Sequence, residues 1–326
     1  MSSRVSSILD VRASDLPRRL LVRSLFDPIR DFMQRPGKGF RRRLVIAGWR
    51  IAGGGGPVPP PLARFVEQLH AGSLIVDDIE DGALERRGAR ALHREYGVPT
   101  ALNAGNFLYF WPLAGLGRVR LPPARELGIH RAYARTMVRC HAGQALDLSV
   151  RVWDLPRSDV GRVVSVATRL KTGSLTDLAM SIGATAAGAD PRSVRALGRA
   201  GGDLGVALQM LDDLSSVTNA RRAHKAAEDL TYGRLTWAWA WAAEACSAGA
   251  YARLCKRGRA VGAGRLRPSE AAADLTRVLG DQPRHRVREE LDAALARVRG
   301  RFGSSRALRD LENDVRKLER SFFDHG

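Results

Sequence analysis

Four of the five residues from Asp77 to Asp81 are acidic, in the stretch LIVDDIEDGALERRG. On a helix Asp77 and Asp81 are i, i+4 neighbours, and Asp78 lies about 100° round from Asp77. Like charges at that spacing cost a few tenths of a kcal/mol on an open surface. They cost more beside an apolar run, where burial penalises each charge. A cation must offset them. Mg²⁺ suits the donors, because it takes one or two carboxylates and completes its shell with water and substrate phosphates. A second acidic pair, Asp212 and Asp213, closes the apolar run LGVALQMLDD, with Gln209 one turn earlier. Either pair alone equally suits a solvated helix end or the N-cap of a following element. Two such pairs, each closing an apolar run, favour a metal–diphosphate site with the two helices facing each other across a cavity.

The cations around these acids are informative by type. The formal net charge is +19, and 48 of the 53 basic residues are arginine. They are scattered along the chain, without a basic tail or interleaved aromatics. This reads as a solvated basic surface rather than a nucleic-acid or anionic-membrane site. The five lysines are the exceptions. Lys38 stands in PGKGFR, Lys171 in LKTGS and Lys225 in HKAAEDL, beside Gly, Thr or acidic residues. A lysine ammonium is a compact point charge suited to phosphate oxygens. With Arg41, Arg86 and Arg87, these lysines would grip the diphosphates that the metals bridge.

The elements that must position these residues are helical. Apolar residues recur at three and four, and no strand alternation is sustained. The spacing predicts helices over 62–81, 131–150, 158–186, 193–215, 269–279 and 304–323. The run TWAWAWA is also read as helix, with Trp237 and Trp241 sharing a face. Breakers fall at GGGGPVPPP, LPPAREL, ADPRS and KRGRAVGAGRLRPSE. With 326 residues, 44% of them hydrophobic, the chain is read as one all-α domain of about ten helices. No apolar run is long enough for a transmembrane segment. The N-terminus lacks the apolar stretch of a signal peptide, and Asp10 and Asp15 argue against a transit peptide. Cys140, Cys246 and Cys255 have no metal-ligand spacing and read as reduced core residues of a cytoplasmic protein.

The stretch EQLHAGSLIVDDIEDGALERRGARALHREYGVPTALNAGNFLYF resembles the first aspartate-rich region of trans-isoprenyl diphosphate synthases. It is most similar to the animal and fungal type of geranylgeranyl diphosphate synthase. The likeness extends through LFDPIRDFMQRPGKGFRRRL, CHAGQALDL, LKTGSL, LGVALQMLDDL and HKAAEDLTYGR, in the family's order and spacing. It covers roughly Leu25 to Arg234, and the last ~90 residues carry little motif signal. The resemblance implies a single isoprenoid synthase domain over residues 1–326, a bundle of helices around a central cavity. It further implies a homodimer, three Mg²⁺ per active site, and isopentenyl diphosphate and an allylic diphosphate as substrates.

By the same resemblance, Asp77, Asp78 and Asp81 hold Mg²⁺ on the allylic diphosphate, and Asp212 and Asp213 hold a further ion. Arg86 would grip the allylic diphosphate and Arg87 that of isopentenyl diphosphate, with Lys38, Arg41 and His70 completing the second set. Lys171, Thr172, Gln209 and Lys225 match residues near the leaving diphosphate and the allylic cation. Arg234 stands where the family usually has lysine. Gly72 and Ser73, five and four residues before Asp77, are small and would leave room for a growing chain. Tyr109, Phe110 and His141 match a deeper floor, which favours a C20 product over C15.

Two departures stand out. Ser216 occupies a place where the family usually has Asp or Asn, and the run after Gly233 is RLTWAWAW, without the usual proline. Three tryptophans there would suit a different acceptor. The competing readings are a prenyltransferase to an aromatic acceptor, a class I cyclase, a non-catalytic partner subunit and a basic nucleic-acid-binding protein. Retention of Lys38, Arg41, His70 and Arg87 argues for a phosphorylated acceptor, and the intact aspartates argue for catalysis.

Overall fold

The computed structural model describes residues 16–323. The reading of Asp10 and Asp15 lies outside the described residues. Two compact units are present, Met1–Arg42 with Pro57–Pro122, and Arg43–Gly56 with Pro123–Gly326. No helix among the described residues is long and apolar enough to cross a membrane.

The first unit begins with α1 (Leu16–Leu21), a π-helical turn (Val22–Phe26) and α2 (Asp27–Gln34). Helix α3 (Phe40–Ile51) leaves it, and α4 (Pro60–Glu80) re-enters behind Pro59, which is extended and starts the helix two residues before the expected Leu62. Asp81 is the C-cap of α4, and Gly82 takes the left-handed conformation that stops the helix. A two-stranded hairpin follows, β1 (Glu85–Arg86) and β2 (Ala89–Arg90), then α5 (Leu92–Tyr96) and α6 (Val98–Leu116). Neither the hairpin nor α6 is among the expected elements. The strands are too short to alternate, and α6 is apolar almost all round, so it shows no periodic stripe. Phe32, Ala71, Ile75, Leu92, Ala101, Ala104 and Leu108 form the core of this unit. Helices α4 and α6 touch backbone to backbone, since a Cβ on Gly72 would lie 2.7 Å from the carbonyl oxygen of Gly105.

The second unit runs from α7 (Pro123–Ser149) to α8 (Arg157–Thr168), a π-helical turn (Arg169–Gly173), α9 (Ser174–Ala187) and α10 (Pro191–Thr218). The helix expected over 158–186 is thus two helices joined by the π turn, which carries Lys171 and Thr172. Gly143 of α7 admits that turn, because a Cβ there would lie 2.7 Å from Lys171 N. Helix α10 starts at Pro191 because the Asp190 carboxylate accepts from the amides of Arg192 and Ser193, at 2.8 and 3.1 Å. It runs past Ser215 to Thr218, so Asp212 and Asp213 lie inside the helix rather than at its end.

Helices α11 (Ala223–Tyr232), α12 (Trp237–Ala245), α13 (Ala248–Gly262), α14 (Pro268–Leu279), α15 (Gln282–Phe302) and α16 (Arg306–Phe323) complete the unit. Helix α15 also has no expected counterpart, although Val287, Leu291, Leu295 and Val298 bury a helical stripe among its many charges. Cys246 and Cys255 are buried as read, whereas Cys140 is only half-buried, its thiol 3.5 Å from the Lys171 carbonyl oxygen.

Candidate active site

In the first unit, the last turn of α4 carries Asp77 and Asp78. Asp78 is fully buried, and burying a carboxylate requires a cation. The hairpin supplies it: Arg86 Nε donates to Asp78 Oδ1 at 2.6 Å, its Nη2 also pairs with Asp78, and Asp77 Oδ2 is 3.9 Å away. The structure therefore joins two residues expected to hold different ligands, while Asp77 and Asp81 remain partly exposed. The hairpin turn is Arg87–Gly88, both at positive φ (55° and 75°), the two-residue loop that matches strand twist. Arg87 is the sole non-glycine residue in that conformation among the described residues. Its guanidinium lies 5.3 Å from the centre of the Phe32 ring, and a Cβ on Gly37 would be 3.3 Å from its Cζ. Burial lowers the Arg87 pKa, with Glu67 opposing and Arg86 and Arg35 adding to the effect.

The PGKG loop is tied to α4 where the Arg42 amide donates to Glu67 Oε1 at 3.1 Å. Lys38 is exposed there, and Arg41 and His70 are half-buried. Ser73 donates to the His70 carbonyl at 2.9 Å. The small size of Gly72 has a packing cause, the α6 carbonyl described above, so it does not by itself report an open pocket floor. Tyr109 lies alongside, its Cδ1 3.4 Å from where a Gly72 Cβ would sit. Phe110 is 67% exposed.

In the second unit most of the expected residues gather at three points: a relay ending on Asp213, a pair of cations on Asp212 and another pair on Asp147. Thr172 Oγ1 donates to Gln209 Oε1 at 3.0 Å, and Gln209 Nε2 donates to Asp213 Oδ1 at 2.8 Å. The Trp237 amide donates to Asp213 Oδ2 at 2.9 Å. Burial pushes the Asp213 carboxyl up to about 6 against the pull of Lys225. Burial also opposes ionisation of Asp212, but Lys225 and Arg222 outweigh it and hold that carboxyl well below the usual range. Both cations pair with it directly, Arg222 Nη2 at 2.6 Å. Lys225 is itself held above its usual range, because Asp212, Asp229 and Asp213 outweigh its burial. Lys171 Nζ pairs with Asp147 at 2.8 Å, and Arg234 donates to the Asp147 carbonyl at 2.7 Å. His141 is exposed, its Nδ1 2.9 Å from the Met137 carbonyl oxygen.

Asp147, Arg222 and Asp229 are absent from the sequence-derived candidates. Asp229 was legible as the i+4 neighbour of Lys225, and burial pushes its carboxyl up to about 8. Asp147 lies within CHAGQALDL, where its type alone carried no role. The tryptophan run is corrected by the structure. Trp239 and Trp241 are buried, Trp239 edge-on to Trp153 and Tyr251, and they fill the core rather than an acceptor pocket. Trp237 alone stays half-exposed, with its indole donating to Thr168 at 3.1 Å. Ser216 is buried and donates to the Asp213 carbonyl at 2.8 Å, so the missing carboxylate is replaced by a hydroxyl satisfied within the helix.

A family model described as polyprenyl synthetase matches residues 22–259, more than half of the chain. The chain belongs to the polyprenyl synthetase family. Its relatives include the geranylgeranyl pyrophosphate synthase of Eremothecium gossypii, 33% identical over 221 residues, 65% of this chain and 67% of that protein. The geranylfarnesyl diphosphate synthase of Aeropyrum pernix is 33% identical over 192 residues, 56% of this chain and 58% of that protein. These alignments span about two thirds of the relatives' length or less. Among solved structures, a geranylgeranyl pyrophosphate synthase superposes with TM-score 0.79 at 19% identity, covering 94% of this chain and 93% of that one. The geranylgeranyl pyrophosphate synthetase of Pyrococcus horikoshii gives TM-score 0.74 at 23% identity, covering 91% of this chain and 90% of the other. The polyprenyl synthetase family members are transferases, and the all-α isoprenoid synthase fold is shared with these structures.

Proposed function

We propose that this chain is a magnesium-dependent synthase that condenses an allylic diphosphate, farnesyl or shorter, with isopentenyl diphosphate to give geranylgeranyl diphosphate. The observation that carries the reading is the relay from Thr172 through Gln209 to Asp213. It fixes two neutral oxygens beside the second aspartate pair. Such oxygens stabilise an allylic cation without attacking it, so no protein nucleophile is required.

The donors fit magnesium. All are carboxylate oxygens, the hard donors that magnesium takes alongside water and phosphate. Asp77, Asp78 and Asp81 of the first unit, Asp78 resting on Arg86, and separately Asp212 and Asp213 of the second, would hold magnesium, three ions serving each active site. When bound, magnesium supplies Lewis-acid neutralisation of the departing diphosphate. Lys171 and Lys225, each poised on an aspartate, would bind the oxygens of that leaving group. Lys38, Arg41, His70 and Arg87 would hold isopentenyl diphosphate, whose double bond attacks the cation before a proton passes to the released diphosphate. Ser73, Tyr109 and Phe110 of the first unit would bound the growing chain. The chain would act as a homodimer, as the resemblance implies.

The test is product analysis by mass spectrometry with magnesium and farnesyl diphosphate, with and without isopentenyl diphosphate. Geranylgeraniol after dephosphorylation, formed only with isopentenyl diphosphate and abolished in Asp77→Ala, is expected. A cyclic hydrocarbon without isopentenyl diphosphate, or turnover only with an aromatic acceptor, would overturn the reading.

A further inference from the structure

Arg35 leaves α2 in an extended conformation (ψ 145°), as the residue before Pro36 must. Only 6% of its side chain is exposed. The guanidinium is divided among three elements. It pairs with Asp31 of its own helix at 3.0 Å. Its Nη1 donates to the carbonyls of Arg90, at 2.9 Å, and Arg86, at 3.3 Å, one on each strand of the hairpin. It also lies 5.4 Å from the centre of the buried Phe32 ring, which Arg87 approaches at 5.3 Å. Phe32 and Arg35 are thus a common seat for the hairpin that carries Arg86 and Arg87.

That hairpin needs a seat. Two strands of two residues each do not hold a register by themselves. The turn residue Arg87 is in the left-handed region, which costs a side chain about 1 kcal/mol or more and persists only where the surroundings enforce it. The Arg87 guanidinium makes no ion pair among the described residues, although it is partly desolvated. A desolvated guanidinium held in a fixed orientation is prepared for an anion of matching geometry.

We propose that Arg35 is a positioning residue for the acceptor diphosphate: it clamps both strand carbonyls so that Arg87 stays on Phe32, aimed for one diphosphate group. The inference rests on the reading of this chain as a diphosphate-condensing synthase. Arg86 is held independently by Asp78, so loss of Arg35 falls on Arg87 and on the acceptor it binds. A general loss of positive charge would weaken both diphosphates alike, and this separates positioning from electrostatics.

Wild-type turnover with farnesyl and isopentenyl diphosphates is measured first, since its absence would defeat the functional reading rather than this one. With an active wild type, Arg35→Met is expected to raise KM for isopentenyl diphosphate about tenfold or more, with kcat and the allylic KM changed by less than about threefold. Arg35→Lys restores the charge but not the planar fork, and is expected to keep the raised KM. Asp31→Asn, a milder change that frees Arg35 from α2, should show the same selective rise and serves if Arg35→Met does not fold. Calorimetric titration of inorganic diphosphate without turnover should show the matching loss of affinity. Equal rises in both KM values, or a wild-type KM in Arg35→Lys, would overturn the proposal.

Discussion

Replacing Gly205 by alanine tests how closely α9 and α10 must approach for the site to exist. In an open helix interior the change is stabilising by up to about 1 kcal/mol, from helix propensity and the lower entropy of the unfolded chain. Gly300 of α15 is such a position, with nothing within 4 Å of where a Cβ would stand. At Gly205 the new methyl would overlap Thr176 Oγ1 and lie 2.9 Å from Thr176 Cβ and 3.0 Å from its Cγ2. Thr176 is buried and donates to the Gly173 carbonyl at 3.0 Å, so it cannot turn away without losing that bond. The helices must part instead. Overpacking of this kind costs about 1–3 kcal/mol, and an overlap this deep falls toward the upper end, so a net loss on the order of 1–2 kcal/mol remains after the propensity gain. For a chain of this size each kcal/mol moves Tm by about 1.5 °C. Calorimetry should therefore place Gly205→Ala about 1.5–3 °C below the wild type and Gly300→Ala at or slightly above it. Thr172 lies one turn before Thr176 and Gln209 one turn after Gly205, so parting the helices also strains the 3.0 Å bond between them and lowers kcat. Adding Thr176→Ala should recover part of both losses. A Gly205→Ala protein that melts at or above wild type would refute the argument that backbone contact positions the relay.

Asp177 on α9 offers a pH test away from the proposed metal residues. Burial raises its carboxyl above the usual 3.8, although the Ser181 hydroxyl and Arg139 pull it down. A raised folded pKa means that the native state holds the proton more tightly than the unfolded chain, so this group's contribution is lost as pH rises above 3.8. Asp177→Asn should accordingly raise Tm at pH 7 and change it little at pH 3, and the reverse order would contradict the assignment. Trp237→Phe removes the indole donor to Thr168 but keeps the amide that serves Asp213. Chemical denaturation should show a loss of about 1 kcal/mol with kcat nearly unchanged. Trp239→Ala, in the core, should lose about 3–5 kcal/mol in the same assay.

The comparison between sequence and structure follows one physical line. Long amphipathic helices such as α4 and α10 were legible because a buried stripe recurs with the helical period. Their ends fall within one to three residues of the expected bounds, and the small differences come from Pro59, Asp190 and the back-bonded hydroxyls of Ser215, Ser216 and Thr218, which act locally, outside that period. The hairpin at Glu85–Arg90 was invisible because its register is held by Arg35, a residue about fifty positions earlier in the chain. The tryptophans were read as possible pocket walls because their helical face was clear, but not which neighbours would cover it.

What the sequence determined by itself is the inventory of chemistry. Acidic pairs that close apolar runs, rare lysines beside glycine, threonine or acid, and the order of those stretches point to a cation-assisted diphosphate site on helices, and the family match agrees with the fold and the transferase class. Those signals are local, within one or two turns, and local spacing is what a sequence displays. Tertiary structure decided which charges neutralise one another, that Asp78 belongs to Arg86 and Asp212 to Lys225 and Arg222. It also decided that Gly72 is small for the sake of a neighbouring carbonyl, and that Trp239 fills the core. Each of these depends on contact between segments distant in the chain, where burial sets the energy of a charge and close packing sets the size a residue can have.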